Sequence, residues 1–183
     1  EKGLRTLGVE PAPKIAALAN SQGIETITNY FNTQVAGEIV KSYGFADVIT
    51  INNLFANIDD LVEFSAALNI LANKNGVIVI ESSYLGDMIK NSVFDFIYHE
   101  HLSYFSISPL KRFFETFDFQ LETIEEIDTK GGSLRYFFRK GDALPDLGMG
   151  IDNWLSREEQ YKLKMKSTYL DYYLTIEKQK LNL

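Results

Sequence analysis

The sequence predicts an α/β fold in which a mostly parallel sheet carries helices on both faces and ends in an antiparallel pair of strands. Strand-like and helix-like stretches alternate up to residue 81 with short connections, as in βαβ units. Two of the strands, ADVITIN at 46–52 and VIVIE at 77–81, are almost continuous apolar runs. Such runs are typical of strands buried on both faces, between two layers of helices.

The first predicted unit is a strand, a helix and a second strand. LRTLGV at 4–9 is a short strand, and Glu10–Pro11 ends it. Proline is favoured in the first turn of a helix and glycine just beyond its end, so Pro13 and Gly23 bound the helix. IETI follows directly and supplies the second strand.

The next elements continue the alternation. TQVAGEIVKS at 33–42 predicts a helix with Thr33 as its N-cap residue. After the first buried strand, residues 61–76 show the amphipathic pattern of a longer helix, and Asp59–Asp60 precede it. The strand at 77–81 then ends the parallel part of the sheet.

Beyond residue 81 the periodicity weakens. Residues 82–107 form a long connection, and connections of this length inside a compact domain tend to be functional. A helix is predicted at 108–117, with Ser108 as its N-cap residue. Two strands at 120–128 and 133–140 then form the antiparallel pair at the end of the sheet.

The remainder of the chain predicts a loop at 141–150 and a charged helical tail from residue 152 onward. We therefore divide the chain into an α/β domain at 1–140 and a linker and helical tail at 141–183.

Composition excludes several classes of function. The net charge of −7 and pI near 4.9 argue against binding to a nucleic-acid backbone or an anionic membrane surface. The chain contains no cysteine, which removes disulfides, thiolate zinc sites and cysteine nucleophiles and is compatible with a cytoplasmic protein. No apolar run approaches the ~20 residues that span a bilayer.

One candidate site lies where the predicted parallel strands end, because ligands of such sheets bind beyond the carboxyl ends of the strands. Glu10 ends the first strand, and a carboxylate there can accept hydrogen bonds from both hydroxyls of a ribose. Taken alone, an acid at this position is more often a simple turn residue at the start of a helix, stabilised by the helix dipole. No glycine-rich loop precedes it. Asn52 and Asn53 end another strand and could contact a ligand or only form a turn.

A second candidate site is YHEHLSYFS at 98–106, which contains both histidines of the chain. His99 and His101 could face one metal ion, but the surrounding acids show no spacing typical of metal ligands. They could instead be a structural pair in an aromatic pocket. The pattern most favours a general base beside Tyr98 and Glu100, because histidine exchanges protons near neutral pH.

Several segments resemble, in the same order, the sugar C-methyltransferases. This family uses S-adenosylmethionine to methylate a carbon of nucleotide-linked keto-deoxysugars, and its fold is the Rossmann-like class I methyltransferase fold. The resemblance runs from residue 3 to about residue 140. It rests on Gly8–Pro11 (GVEP), Val77–Glu81 (VIVIE), Tyr84–Asp87 (YLGD), Phe94–His101 (FDFIYHEH), Ser103–Ser106 (SYFS) and Gly131–Tyr136 (GGSLRY).

For the cofactor, the resemblance implies binding of S-adenosylmethionine at the strand ends. Glu10, followed by Pro11, would hold the ribose of the cofactor. Asn29 and Phe31 would lie near its adenine, and Asn53 would face its inner side. No metal ion is implied.

For the substrate, the resemblance implies a nucleotide-linked sugar beside the YHEH segment. His101 would be the general base that removes a proton from the carbon next to the ketone. Tyr98 and Glu100 would position the sugar or stabilise the enolate oxygen. The substrate wall would be formed by Tyr84, His99 and Arg135.

The chain also departs from the family pattern. Family members carry a cysteine-rich zinc module, then a first strand with a glycine-rich loop, and later a C-terminal domain. None of these is found here, so we expect the chain to be the middle of a longer protein with the first strand missing. The alternative hypothesis is a methyltransferase-fold module that has lost its cofactor and serves as a binding or scaffold surface.

Overall fold

A computed structural model of the chain describes residues 3–129, 132–141 and 150–181. Its strands form a short parallel pair and a larger mixed sheet of four strands in the order β3-β4-β6-β5. The parallel pair consists of β1 (Gly8–Val9) and β2 (Thr26–Ile27), and the mixed sheet of β3 (Ala46–Asn52), β4 (Ala72–Ser83), β5 (Phe119–Ile127) and β6 (Ser133–Lys140).

Helices connect these strands and follow them. A short 3-10 turn at Phe55–Asn57 lies between β3 and the next helix. The helices are α1 (Pro13–Ser21), α2 (Thr33–Tyr43), α3 (Leu61–Leu71), α4 (Leu85–Lys90), α5 (Ile107–Glu115), α6 (Ile151–Gln160) and α7 (Lys166–Leu181).

The α/β class and the closing antiparallel pair are confirmed, and the larger sheet is mixed. β3 runs parallel to β4, whereas β6 runs antiparallel to both β4 and β5. The connection between β5 and β6 is short, and a short connection joins antiparallel neighbours. β6 therefore enters the sheet beside β4 and leaves β5 at the outer edge.

The main hydrophobic core packs aromatic rings between the mixed sheet and α5. Phe114 on α5 lies 4.4 Å, between ring centroids, from Phe138 on β6, and both are fully buried. Trp154 and Leu155 of α6 pack against the same cluster. A second cluster lies between α2 and α3, around Ala36 and Ala67. The carboxyl ends of β3 and β4 are thus held on a rigid core.

The prediction that the strand at 46–52 is buried on both faces is wrong. Ile51 is 5% exposed, but Val48 on the opposite face is 60% exposed. Helices α2 and α3 cover the face that carries Ile49, and β3 is an outer strand of its sheet within the described residues. An apolar run therefore shows a capacity for burial, and whether both faces are covered depends on neighbouring layers.

Three predicted boundaries are also wrong. The helix predicted at 61–76 ends at Leu71, and β4 begins at Ala72. The N-cap residue of α2 is Asn32, whose side-chain oxygen accepts a hydrogen bond from the backbone N–H of Val35 at 2.9 Å, in place of Thr33. Ser106, in place of Ser108, occupies the N-cap position of α5.

The helical tail is confirmed, and its first helix joins the core. Glu158 on α6 is 6% exposed and accepts hydrogen bonds from the first backbone N–H groups of α5. Residues 142–149 of the predicted linker lie outside the described residues, as do residues 130–131, so the boundary at residue 140 stays a prediction. In the part of the chain that the structure describes, no helix is long and apolar enough to span a bilayer.

Candidate active site

A pocket lies at the carboxyl ends of β3 and β4, where the two parallel strands of the mixed sheet finish. It is a shallow depression and not an enclosed cavity, because the roughly 300 Å³ of space between its walls includes open solvent. One side is formed by the ends of the strands and the 3-10 turn, and the other by the long connection after α4. Its lining residues are Asn53, Ala56, Ser82, Ser83, His101, Ser103 and Tyr104.

The connection that carries the YHEH segment is fastened at several points. The backbone N–H groups of Leu102 and Ser103 both donate to the carbonyl of Ala56, at 2.9 and 3.1 Å. Farther along, Phe105 forms a bridge to Tyr84, just beyond β4. From the tail, Tyr172 on α7 donates its hydroxyl to the carbonyl of Val93 at 2.5 Å. The segment is therefore held in place by three separate parts of the chain.

His101 is oriented by a hydrogen bond on each ring nitrogen. Its Nδ1 lies 2.9 Å from the carbonyl oxygen of Phe96, and Nε2 lies 3.2 Å from the hydroxyl of Tyr98. Because a carbonyl can only accept, Nδ1 must carry a proton. In the neutral ring Nε2 is then the nitrogen with the free electron pair. The hydroxyl of Tyr104 also donates to the Phe96 carbonyl, at 3.3 Å.

The other three residues of the YHEH segment are more exposed than His101 itself. Tyr98 is 41% exposed, and its ring lies 4.4 Å from the imidazole between centroids. His99 and Glu100 are exposed and are not among the residues that line the pocket. The structure thus brings together His101 and Tyr98, and leaves His99 and Glu100 on the outer side of the segment.

Asn53 connects the two strand ends. It adopts a left-handed backbone conformation, with φ of 53°, which asparagine tolerates better than most residues. Its backbone N–H donates to the carbonyl of Glu81 at 2.8 Å, so the turn after β3 is tied to the end of β4. Local strain of this kind is often found at functional sites. The bond to Glu81 holds Asn53 beside the end of β4, where it lines the same pocket as His101.

The predicted cofactor residues lie at the ends of β1 and β2. Glu10 accepts a hydrogen bond on Oε1 from the backbone N–H of Ala12 at 2.8 Å, and its Oε2 has no partner among the described residues. Pro11 and Asn29 are exposed, and Asn29 accepts a bond from the Tyr30 backbone. Glu10 therefore both forms a turn and keeps one carboxylate oxygen available.

Phe31 belongs to the hydrophobic core as well as to the edge of this region. Its ring contacts Phe64 on α3 edge to face, with centroids 5.3 Å apart. This packing alone explains an aromatic residue at position 31, so contact with an adenine stays a prediction.

The expectation that Tyr84 forms a substrate wall does not agree with the structure. Tyr84 is fully buried, and its hydroxyl donates to Glu158 at 3.3 Å. Burial, with the nearby Glu158 carboxylate, strongly raises the pKa of Tyr84, so this hydroxyl remains a donor. Tyr84 follows the strand that ends in the pocket, but its side chain turns toward α6.

Arg135 on β6 belongs to an ion-pair network and is not among the residues that line the pocket. Its guanidinium lies 2.8 Å from the carboxylate of Glu81 and 3.2 Å from that of Glu125. The ion pair with Arg135 compensates the negative charge of Glu81, which is only 9% exposed. A role for Arg135 in substrate binding stays a prediction.

Sequence reasoning missed several groups of the pocket. Ser82, Ser83, Ser103 and Tyr104 line it. Ser82 and Ser83 carry no local signal of function, whereas Ser103 and Tyr104 both lie within the SYFS motif. Within the described ranges there is no group of three or more histidine, aspartate or glutamate side chains that could hold a metal ion.

Comparison with known proteins gives one family. The model of a family described as "Methyltransferase domain" matches residues 1–124. Among curated proteins, the chain is 31% identical over 172 residues to the C-methyltransferase NovU of Streptomyces niveus. The match covers 94% of this chain and 41% of that protein, so the chain spans about two fifths of its relative's length.

Solved structures share the fold at low sequence identity. A SAM-dependent methyltransferase of Anabaena variabilis matches with a TM-score of 0.56 and 16% identity, over 74% of this chain and 68% of that one. The 1,6-didemethyltoxoflavin-N1-methyltransferase of Burkholderia thailandensis matches with a TM-score of 0.54 and 18% identity, over 77% and 63%. The predicted Rossmann-like class I fold is thus confirmed.

Proposed function

The chain belongs to the methyltransferase-domain family, and on that premise we propose that it methylates a carbon next to the ketone of a nucleotide-linked keto-deoxysugar. In this proposal S-adenosylmethionine is the methyl donor and His101 is the general base. The similarity to a C-methyltransferase over 94% of the chain supports transfer to carbon. The order of the GVEP, YHEH and SYFS segments supports a sugar substrate.

The single observation that carries the proposal is the orientation of His101. Its Nδ1–H is engaged by the Phe96 carbonyl at 2.9 Å, so Nε2 is the nitrogen that can accept a proton. A carbon acid needs a well-placed base, because its proton can be removed only while the enolate that forms is stabilised. A base fixed in one tautomer beside the carboxyl ends of β3 and β4 is what enolate formation requires.

The described residues fit the cofactor at its ribose end. Glu10 ends β1 and has one carboxylate oxygen without a protein partner, which can accept from a ribose hydroxyl. Asn53 lies at the end of β3, on the lining of the pocket. When bound, the cofactor supplies a methyl group on a sulfonium, which is already electrophilic. The protein therefore has to orient the reactants and generate the carbon nucleophile.

In the proposed reaction, His101 and Tyr98 act together. Nε2 of His101 takes the proton from the carbon, and the electron pair of that C–H bond moves onto the ketone oxygen. The Tyr98 hydroxyl, now 3.2 Å from Nε2, turns to donate to that oxygen and stabilises its negative charge. The imidazolium keeps its Nδ1–H bond to the Phe96 carbonyl. The outward-facing Glu100 is a candidate for contacts with the nucleotide-linked sugar.

Incubation of the full-length protein with S-adenosylmethionine and a nucleotide-linked 4-keto-6-deoxysugar tests the proposal. Mass spectrometry should show the gain of one methyl group, and NMR should place it on a carbon next to the ketone. Deuterium uptake at that carbon in heavy water tests the base separately from methyl transfer. Methylation of oxygen or nitrogen, or no product, would contradict the proposal.

Replacement of His101 by glutamine should reduce both deuterium uptake and turnover by about 10²–10⁴-fold, the usual contribution of a positioned base. The cofactor affinity should change little. His99→Gln is the matched variant, since it removes the exposed imidazole two positions away, and we expect a far smaller loss. Equal losses in the two variants would remove the special role of His101.

Calorimetry with S-adenosylhomocysteine separates the enzyme from a cofactor-less binding or scaffold module. The enzyme should bind this product with a measurable heat, and the scaffold module should not.

A further inference from the structure

Four polar side chains around the pocket have no hydrogen-bond partner among the residues that the structure describes. The hydroxyls of Ser82, Ser83 and Ser103 and the amide of Asn53 bond to no described residue. His101 and Tyr104, on the same lining, are both bonded to the Phe96 carbonyl. The lining is thus divided into groups that orient the base and groups that are free to bind a ligand.

Ser82 is the most informative of these groups because it is 3% exposed. Its hydroxyl oxygen is not among the fully buried unpaired atoms of the described residues, so it reaches the space of the pocket. Ser133 on β6, which is the register partner of Ser83, donates instead to the carbonyl of Thr129. The lining position of Ser82 means that a ligand can supply the missing partner.

The strand that carries Ser82 and Ser83 is rigid. β4 is bonded to β3 on one side and to β6 on the other, and its pairing with β6 extends through both serines to Leu134 and Ser133. Immediately afterwards the backbone N–H of Tyr84 donates to the carbonyl of Gly132 at 3.1 Å. Hydroxyls held on a central strand are better placed to select a ligand than those on a loop.

The chemistry of the lining indicates what is bound. No lysine or arginine is among the lining residues, so a phosphate is not matched there. A serine hydroxyl both donates and accepts, and so pairs with a neutral hydroxyl or ketone. An apolar ligand would leave the two serines unpaired. The pocket is therefore suited to a neutral group with at least two oxygen atoms.

We propose that Ser82 and Ser83 bind the hydroxyl and ketone oxygens of the sugar ring and determine which oxygenated sugars are accepted. This inference rests on the proposed function and deepens it, because it names the groups that select the sugar. The nucleotide diphosphate lies outside these contacts.

Ser82→Ala, Ser83→Ala and the double variant test this assignment in the full-length protein. The control is Ser65→Ala, which removes a fully buried and unpaired hydroxyl on α3 that does not line the pocket. The affinity for a nucleotide-linked 4-keto-6-deoxysugar is measured by calorimetry with S-adenosylhomocysteine present. The melting temperature and the affinity for S-adenosylhomocysteine alone are measured in parallel.

We expect each single serine variant to weaken sugar-nucleotide binding by about 3- to 10-fold, as for the loss of one hydrogen bond, and the double variant by more. The melting temperature and cofactor affinity should not fall, because the lost hydroxyls have no protein partner. Ser65→Ala should leave sugar binding unchanged. The nucleoside diphosphate without its sugar should bind all variants equally.

Unchanged sugar-nucleotide affinity in the double variant would overturn this assignment and leave the proposed function intact. An equal loss of affinity for the free nucleoside diphosphate would also overturn it, because the serines would then contact phosphate. If the unaltered protein binds S-adenosylhomocysteine but no sugar nucleotide, both proposals fail together.

Discussion

Two groups of polar residues lie side by side at and just after the end of β4, and they differ in how they are paired. The first is the pocket, where the hydroxyls of Ser82 and Ser83 have no partner within the described part of the chain. The second, which we term the α6 contact, consists of Tyr84, Asp87, Arg157 and Glu158. Adjacent positions in the sequence thus belong to two environments with opposite properties.

In the α6 contact the charged and polar groups bond to one another or to the backbone. Glu158 accepts from the backbone N–H groups of Ile107 at 2.5 Å and Ser108 at 2.9 Å, at the start of α5. A carboxylate at a helix N-terminus satisfies free donors and complements the helix dipole. Arg157 pairs with Asp87 at 3.1 Å and stacks over Trp154, 4.9 Å from its ring centroid.

Pairing within the protein therefore separates polar groups that stabilise the fold from polar groups that are available to a ligand. Groups whose hydrogen bonds are completed within the protein stabilise it, and their loss should appear in the free energy of unfolding. Groups left incomplete beside a pocket contribute little to stability, and their loss should appear in ligand affinity. The variants below test this contrast, in decreasing order of the change in stability or affinity that we expect.

Removal of the Glu158 carboxylate should have the largest effect on stability. In Glu158→Ala two backbone donors of α5 and the Tyr84 hydroxyl lose their acceptor, and we expect a loss of about 2–4 kcal/mol. Urea unfolding can be followed by the fluorescence of Trp154, the one tryptophan in the sequence. Glu159→Ala, at the exposed neighbouring position, should cost far less. If Glu158→Ala and Glu159→Ala had the same free energy of unfolding, the bonds of Glu158 to α5 would not stabilise the fold.

Glu10 combines both kinds of group in one side chain, since one carboxylate oxygen is bonded and the other is not. Glu10→Ala should weaken S-adenosylhomocysteine binding by about 1–3 kcal/mol, the range for hydrogen bonds to a charged group. The melting temperature should fall only slightly, because a single turn bond is lost. An unchanged dissociation constant would contradict the assignment of Glu10 to the cofactor.

Two buried tyrosines offer the same comparison within the core. The hydroxyl of Tyr84 donates to Glu158, whereas that of Tyr136 has no partner among the described residues, although both side chains are fully buried. Tyr84→Phe should destabilise the protein by about 1 kcal/mol. Tyr136→Phe should be neutral or stabilising by up to about 1 kcal/mol, because it removes an unpaired polar atom. If Tyr136→Phe lost more free energy of unfolding in urea than Tyr84→Phe, the hydrogen bond of Tyr84 to Glu158 would not be the stabilising one.

The smallest effect concerns the pH dependence of stability. Burial raises the pKa of Asp87 above its ordinary value of 3.8, and the attraction of Arg157 only partly opposes this. The folded protein therefore binds the proton more tightly than the unfolded chain. The contribution of Asp87 to stability should fall as pH rises from about 3.8 through the raised pKa.

Comparison with Asp87→Asn isolates this contribution, because asparagine does not titrate. The stability of the variant relative to the unaltered protein should increase as pH rises through that window and then level off. A difference that decreases with pH would mean that the ion pair with Arg157 outweighs the effect of burial.

Much of the fold could be predicted from local patterns. The strand at 46–52 has the predicted bounds, and β6 begins and ends where the sequence indicates. The end of α3 could not be predicted, because residues 72–76 are compatible with both helix and strand and pairing of β4 decides between them. Register and edge position depend on partners that are distant in the sequence.

The candidate site was predictable in part. The YHEH segment indicated His101 because two histidines close together are conspicuous in a chain with no others. Ser82 and Ser83 carry no such signal, since an unpaired serine and a paired one have the same sequence. Tyr84 was misassigned because its position after β4 indicates a ligand site, whereas its side chain points to α6.

Local sequence patterns were sufficient to predict the alternation of strands and helices and to indicate the YHEH segment as a candidate site. Periodicity, helix ends and motifs are properties of residues that are close together in the sequence. Long-range folding, in contrast, brings the Glu158 carboxylate to the backbone N–H of Ile107, 51 positions away at the start of α5. It also leaves the Ser82 hydroxyl without a partner among the described residues. The physical reason is that a hydrogen bond is satisfied in space. Whether a polar group is structural or available depends on which distant atoms folding brings within about 3 Å.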